Sequence, residues 1–158
     1  MLKVNVIAVG KVKENYFLDG INEYAKRLKK YCDFRILEVQ EENYKKVDSS
    51  TIKEIIRIEG DRILSLSEFK GKIFCMAIEG EKFSSEGFAK VINQASNCGE
   101  TITFVIGGSY GLDVRVKNKA TKLISFSNMT FPHTLFRLML VEQIYRGFSI
   151  NQGSPYHK

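Results

Sequence analysis

The run Thr101-Ile102-Thr103-Phe104-Val105-Ile106 is β-branched or aromatic at every position and stops abruptly at Gly107-Gly108. A strand without polar alternation is buried on both faces, so the rest of the chain must cover it from above and below. The two glycines lack a Cβ, which lets a ligand or another segment approach their backbone closely. A second short apolar strand, Leu123 to Phe126, runs into Ser127-Asn128-Met129-Thr130 and then Phe131-Pro132, where the proline suits a first helical position. Two strand ends therefore open onto two loops, the place where ligands sit in open α/β sheets.

The preceding hundred residues read as scaffold. Met1 to Val9 ends in an apolar strand before Gly10, and Phe34 to Val39 and Lys72 to Ile78 are further strands, the last closed by the turn Glu79-Gly80-Glu81-Lys82. Between Glu14 and Lys30 apolar residues recur at three- and four-residue steps, and Lys26, Arg27, Lys29 and Lys30 gather at the helix C-terminus, where cations suit the dipole. Gln40 to Ser50 has no periodicity and is expected to be a mobile surface loop. Thr51 and Glu54 have the spacing of a capping box for a helix ending near Ser65. Ser84 or Ser85 caps another helix that stops at Cys98-Gly99. Strands and helices thus alternate along 1–158, which predicts one α/β domain: a mostly parallel sheet with helices on both faces. The last helix, Pro132 to about Phe148, is apolar around most of its circumference. Such a helix needs partners on two sides, and the reading favoured here is a two-fold homodimer, with a helix wrapped by its own fold as the alternative.

Charge narrows the function classes. Residues 1–46 carry ten basic and seven acidic side chains, 47–110 seven and nine, and 111–158 seven and two, so +3, −2 and +5 make up the overall +6. The last third is where a polyanion would dock, through Arg115, Lys117, Lys119 and Lys122; the plainer alternative is a solvated helix face. Two histidines and three isolated cysteines, Cys32, Cys75 and Cys98, make a metal centre unexpected and point to buried free thiols in a reducing compartment. The apolar runs are too short for a membrane span or a secretory leader, so a cytoplasmic protein is expected.

Positive motif evidence is sparse. Gly107-Gly108-Ser109-Tyr110-Gly111 lacks the spacing of a dinucleotide fingerprint, no nucleoside triphosphate loop is present, and no Ser-His-Asp order can be traced. Glu142 and Arg146 stand four residues apart on the last helix, either a simple paired patch or a positioning pair beside a substrate. The terminal residues Tyr156-His157-Lys158 combine a stacking ring, an imidazole and a cation, the equipment of an RNA-modifying site, although a terminal tail ordinarily frays.

Taken together, AVGK near the start, VIGGSYGL, SFSNMTFPH, LVEQIYR and the closing PYHK resemble the small SPOUT methyltransferases of the ribosomal RNA large subunit methyltransferase H family. The resemblance runs over essentially all 158 residues. It implies a C-terminal trefoil knot, an exception to the unknotted-chain rule, and an obligate homodimer. It also implies S-adenosylmethionine as cofactor and methylation of N3 of a pseudouridine in a stem-loop of large-subunit (23S) ribosomal RNA; a small, only modestly basic protein has little area for reading an RNA alone, which favours the assembled ribosome as the substrate. By the same resemblance the cofactor site comprises Met76, in place of the family's usual leucine, Gly107, and Phe126, Ser127, Asn128, Met129, Thr130 and Phe131. The catalytic group comprises Glu142, Arg146, Tyr156 and His157, with Tyr156 and His157 reaching a partner subunit's site and Lys158 joining the RNA contacts. The alternative is a non-catalytic RNA- or nucleotide-binding α/β module.

Overall fold

The computed structural model describes residues 1–158, in the order β1 (Lys3–Val9), α1 (Asn15–Leu28), β2 (Asp33–Val39), α2 (Ser49–Leu64), β3 (Lys72–Lys82), α3 (Ser85–Asn97), β4 (Ile102–Ile106), α4 (Val114–Lys117), β5 (Lys122–Ser125), α5 (His133–Asn151). All strand pairings are parallel and the sheet order is β2-β1-β4-β3-β5. β4, the strand with no polar alternation, is flanked by β1 and β3, and every residue of it is buried. The side chains of β1 show why helices must lie on both faces. Val4, Val6 and Ala8 pack with Ile21 of α1, Phe88 and Ile92 of α3, and Leu140 and Ile144 of α5. Ile7 and Val9 point the other way, towards Ile63 of α2 and Val116 of α4.

From β1 the chain moves outward to β2, whereas from β4 it crosses over β3 to reach β5. The connections thus diverge between β1 and β4, and the C-terminal strand ends gather the loops that a ligand can reach. No helix is long and apolar enough to cross a membrane.

Several boundaries differ from the sequence expectation. β3 does not end at a Glu79–Lys82 turn: it bulges between Met76 and Glu81 and pairs again with β5 through Glu81 and Lys82. Gly80 permits this, because a Cβ there would stand 2.7 Å from the backbone nitrogen of Ile124. The capping box sits one turn earlier than expected, with Asp48 accepting from Thr51 N and Thr51 accepting from Asp48 N. Part of the stretch expected to be mobile is pinned, since Arg62 donates to Gln40 O at 2.8 Å and pairs with Glu42. Pro132 is the cap before α5 rather than its first helical residue. The basic helix after the glycine turn is a single turn, α4, capped by Asp113.

The cysteines also divide. Cys32 and Cys75 lie in the core, where burial pushes each thiol up to about 12, but Cys98 is exposed at the end of α3. Only Cys98 should therefore react rapidly with Ellman's reagent in the native protein, the other two appearing on denaturation. Rapid modification of either core thiol in the folded protein would contradict this packing.

Candidate functional site

The ends of β4 and β5 and the bulge within β3 surround a cavity of about 740 Å³. Its walls take Met76 to Glu79 from β3, Ile106 to Ser109 from the end of β4, and Ile124 to Ser127 with Met129 to His133 and Phe136 from β5, the approach to α5 and its first turn. Of the expected cofactor residues, Met76, Gly107, Phe126, Ser127, Met129, Thr130 and Phe131 line it; Asn128 does not. The glycine turn is folded back on itself by Gly111 N donating to Gly108 O at 3.1 Å, and Gly111 adopts a left-handed φ of 91°. A Cβ on Gly107 would lie 2.8 Å from the carbonyl carbon of Gly111, so this strand end cannot take a side chain without opening the turn.

In the loop after β5, Ser127 Oγ accepts from Met129 N at 3.0 Å and fixes a tight bend. The N–H groups of Gly107, Ser127, Thr130 and Phe131 find no backbone or side-chain acceptor in the protein. Apolar walls from Met76, Ile106, Leu112, Phe126 and Phe131, with main-chain donors between them, suit a ligand with a flat heteroaromatic part and a polar, amino-acid-like part. S-adenosylmethionine has parts of both kinds, and a cavity of about 740 Å³ is large enough to hold it.

A second cavity, of about 510 Å³, shares Ile124, Ser125, Phe126 and Phe131 with the first and is closed on its far side by Gly20 and Tyr24 of α1 and Leu138, Met139 and Glu142 of α5. Glu142 is the hub of a hydrogen-bonded group. It accepts from Arg146 Nε at 2.9 Å and from the Tyr156 hydroxyl at 2.9 Å, and Tyr156 also meets the Tyr24 hydroxyl at 3.2 Å. Arg146 Nη1 lies 3.0 Å from His157 Nδ1, and His157 Nε2 lies 2.8 Å from Glu86 Oε1. A guanidinium can only donate, so Nδ1 is the acceptor and the ring proton on Nε2 is donated to Glu86. Burial, with the hydrogen bonds to Tyr24 and Glu142, pushes the Tyr156 phenol well above its ordinary value, which keeps it a proton donor. The hydrogen bond to Glu142 likewise raises Arg146.

The C-terminal tail is thus ordered and packed on its own α5, with the Tyr156 ring edge-on to Tyr145 at 4.8 Å, and is not frayed. The four residues expected to act together are brought together. Tyr24 and Glu86, which complete the group, were not among them: neither has a local signal, because each is matched to the tail only through the fold.

The expected polyanion contacts fare differently. Arg115 is held by Asp113 at 2.6 Å and Asp61 at 2.8 Å, Lys117 by Glu79 at 2.7 Å and Lys122 by Glu81 at 3.1 Å. Burial works to raise the Asp113 carboxyl, but its hydrogen bonds from Arg115 outweigh this and hold it below the usual range. Lys119 and Lys158 alone among the five have no ion pair.

Glu59 was also missed. It is 4% exposed on α2, and its Oε1 has no partner while Oε2 accepts from Glu42 N at 3.0 Å. A Cβ on Gly108 would stand 3.0 Å from that unpaired oxygen, so the carboxyl lies directly behind the glycine turn. Burial raises its pKa. The folded state therefore favours the neutral acid, and the stability it contributes is complete below the unfolded pKa and lost as pH rises through the folded value. Glu59→Gln should accordingly melt above the wild type at about pH 7, with the gap closing towards about pH 4. A variant that melts lower at every pH would mean that the charged carboxylate is needed.

The comparisons with known proteins agree with one another. Residues 2–157 match the family described as "Predicted SPOUT methyltransferase". Proteins named ribosomal RNA large subunit methyltransferase H from Streptococcus pneumoniae strains CGSP14 and 70585 are 47% identical over 159 residues, covering 99% of this chain and 100% of theirs. Among solved structures, a probable methylase family protein from Haemophilus influenzae Rd KW20 superposes with a TM-score of 0.54 at 12% identity, covering 100% of this chain and 72% of that one. A putative methylase family protein from Neisseria gonorrhoeae gives 0.51 at 11% identity, covering 91% and 82%. At such identities the two structures speak for the fold alone.

Proposed function

The chain belongs to the SPOUT methyltransferase family, and from that premise we propose that it methylates N3 of a pseudouridine in large-subunit ribosomal RNA, in the cytoplasm and on the assembled ribosome, with S-adenosylmethionine as donor. The observation that carries the reading is the adjacency of the two cavities: a glycine-turn cavity suited to the donor shares Phe126 and Phe131 as lining with one walled by Glu142.

When bound in the first cavity, S-adenosylmethionine supplies a methyl group on a positively charged sulfur that is already a good leaving group, so neither metal nor covalent enzyme intermediate is required. The free N–H groups of Gly107, Ser127, Thr130 and Phe131 orient the donor, and Met76, Phe126 and Phe131 exclude water around it. What remains for the protein is to align the nucleophilic nitrogen and help remove its proton. In this reading Glu142, which lines the second cavity, accepts that proton. Arg146 and Tyr156, both hydrogen-bonded to the same carboxylate, hold its geometry, and Arg146 orients the base or its phosphate.

His157 enters by another route. Its Nδ1 lone pair is engaged by Arg146, so it acts as a base only if substrate displaces that contact; within this arrangement it braces Arg146 against Glu86. A second copy of the chain completes the site in this reading. Leu135, Leu138 and Met139 of α5 remain only half-buried, and the second cavity presents an apolar wall that a partner's helix can cover.

The test is transfer of labelled methyl from S-adenosylmethionine to ribosomes from a bacterium lacking this activity, with the product nucleoside located in the large-subunit RNA. Label on N3 of a pseudouridine supports the reading. A folded, donor-binding protein that leaves the ribosome unlabelled overturns it.

A further inference from the structure

We propose that the C-terminal end of α1, with the unpaired Lys26, Lys29 and Lys30 and with Lys30 over the rings of Tyr31 and Tyr145, is the surface that takes the phosphate backbone of the RNA substrate. This rests on the reading of the protein as an RNA methyltransferase, and it moves the polyanion contact away from the α4 segment where the charge count along the sequence had placed it.

Three observations carry it. First, the positive charge of the last third is largely neutralised within the fold: Arg115, Lys117, Lys122, Arg137 and Arg146 all pair with carboxylates. At the end of α1 the position is reversed. Arg27 pairs with Glu23 at 2.8 Å, but Lys26, Lys29 and Lys30 form no ion pair, and all three are exposed.

Second, two cations at this helix end, Lys30 and the paired Arg27, stand over aromatic rings. Lys30 Nζ stands 5.0 Å from the Tyr31 ring centre and 5.9 Å from that of Tyr145, and the Arg27 guanidinium 5.1 Å from Tyr24 and 5.7 Å from Tyr145. Cations held over buried and half-buried rings keep their charge facing solvent in a fixed place, the pattern of a nucleic-acid surface. Helix-dipole stabilisation explains cations in a last turn, but Lys26, Lys29 and Lys30 are neighbours at three- and four-residue spacing and repel one another, which stability alone does not call for.

Third, the patch is continuous with the reacting group. Tyr145 packs on Tyr156, Arg146 covers the Tyr156 ring at 4.8 Å, and Tyr24 on α1 itself bonds Tyr156. Tyr24 to Lys30 spans about 9 Å of helix, so a strand whose target base entered the cavity beside Gly20 and Tyr24 would carry its next phosphates along this edge.

The experiment compares binding to ribosomes across salt concentrations for the wild type, for Lys26→Ala with Lys29→Ala and Lys30→Ala, and for Lys45→Ala with Lys46→Ala and Lys53→Ala as an equal charge change elsewhere. S-adenosylmethionine binding reports folding in each. The α1 variant should bind about tenfold or more weakly near physiological salt, and lose roughly one unit of log–log salt slope per lysine, with cofactor affinity and the second variant unchanged. Ribosome binding by the α1 variant equal to wild type overturns the inference while leaving the methyltransferase reading intact, as does the same loss from Lys119→Ala with Lys122→Ala instead. A wild type that neither binds nor methylates ribosomes removes both.

Discussion

Gly107→Val should weaken S-adenosylmethionine binding by roughly tenfold to a hundredfold while leaving a folded protein. The residue ends the central strand β4, its N–H has no partner in the protein, and it faces the larger cavity. The Cβ alone would come within 2.8 Å of Gly111 C and 3.0 Å of Leu112 Cγ. The first is backbone in a turn closed by its own hydrogen bond, so it cannot yield as the end of a flexible side chain could. Valine adds two methyl groups to that overlap. Overpacking of this kind costs about 1–3 kcal/mol, and if the strain falls on the turn that shapes the cavity, affinity drops by roughly tenfold to a hundredfold. Calorimetric titration of both proteins reads the result, with thermal melting beside it to separate loss of the site from loss of the fold. Wild-type affinity in the variant would remove the glycine turn from the donor site.

The reasons why some of this was legible in sequence, and some not, are local against long-range. β4 announced itself because burial on both faces keeps every charged residue out of the strand and leaves it β-branched or aromatic throughout, and Gly107 because nothing larger can follow it. Glu79 to Lys82 looked like a turn on composition alone; the strand continues there because Gly80 lets β5 pass close, a fact about another segment. Arg137 sits on a helix that reads as apolar, yet it is 3% exposed, pairs with Glu38 and donates to Gly10 O at 3.0 Å. No pattern within 132–148 signals that partner ninety-nine positions away. The charge count failed for the same reason. It located the cations of 111–158 correctly, but Glu79, Glu81 and Asp61, which neutralise three of them, come from other elements. The Glu142–Arg146 pair needed only four-residue spacing to be seen; its ties to Tyr24 and Glu86 needed the fold. The trefoil knot entered only with the resemblance, since the threading of a chain leaves no periodicity.

Removal of Tyr156, His157 and Lys158 should separate chemistry from cofactor binding. None of the three lines the glycine-turn cavity, so donor affinity should stay within about threefold of wild type, less than 1 kcal/mol. The hydrogen-bonded group proposed to handle the proton, by contrast, is dismantled. Glu142 loses the Tyr156 hydroxyl, Arg146 loses both the ring beneath it and His157, and the second cavity loses the support of its charged wall. Positioned proton transfer contributes about 10²- to 10⁴-fold, and that is the expected fall in methyl transfer to ribosomes. Tyr156→Phe and His157→Ala divide the effect. If Glu142 is the base held by Tyr156, the phenylalanine variant should lose most of the rate; if substrate frees His157 to take the proton, the alanine variant should. Loss of donor binding in step with activity would mean instead that the tail holds the cofactor cavity in shape, and the division of labour between the two cavities would fall with it.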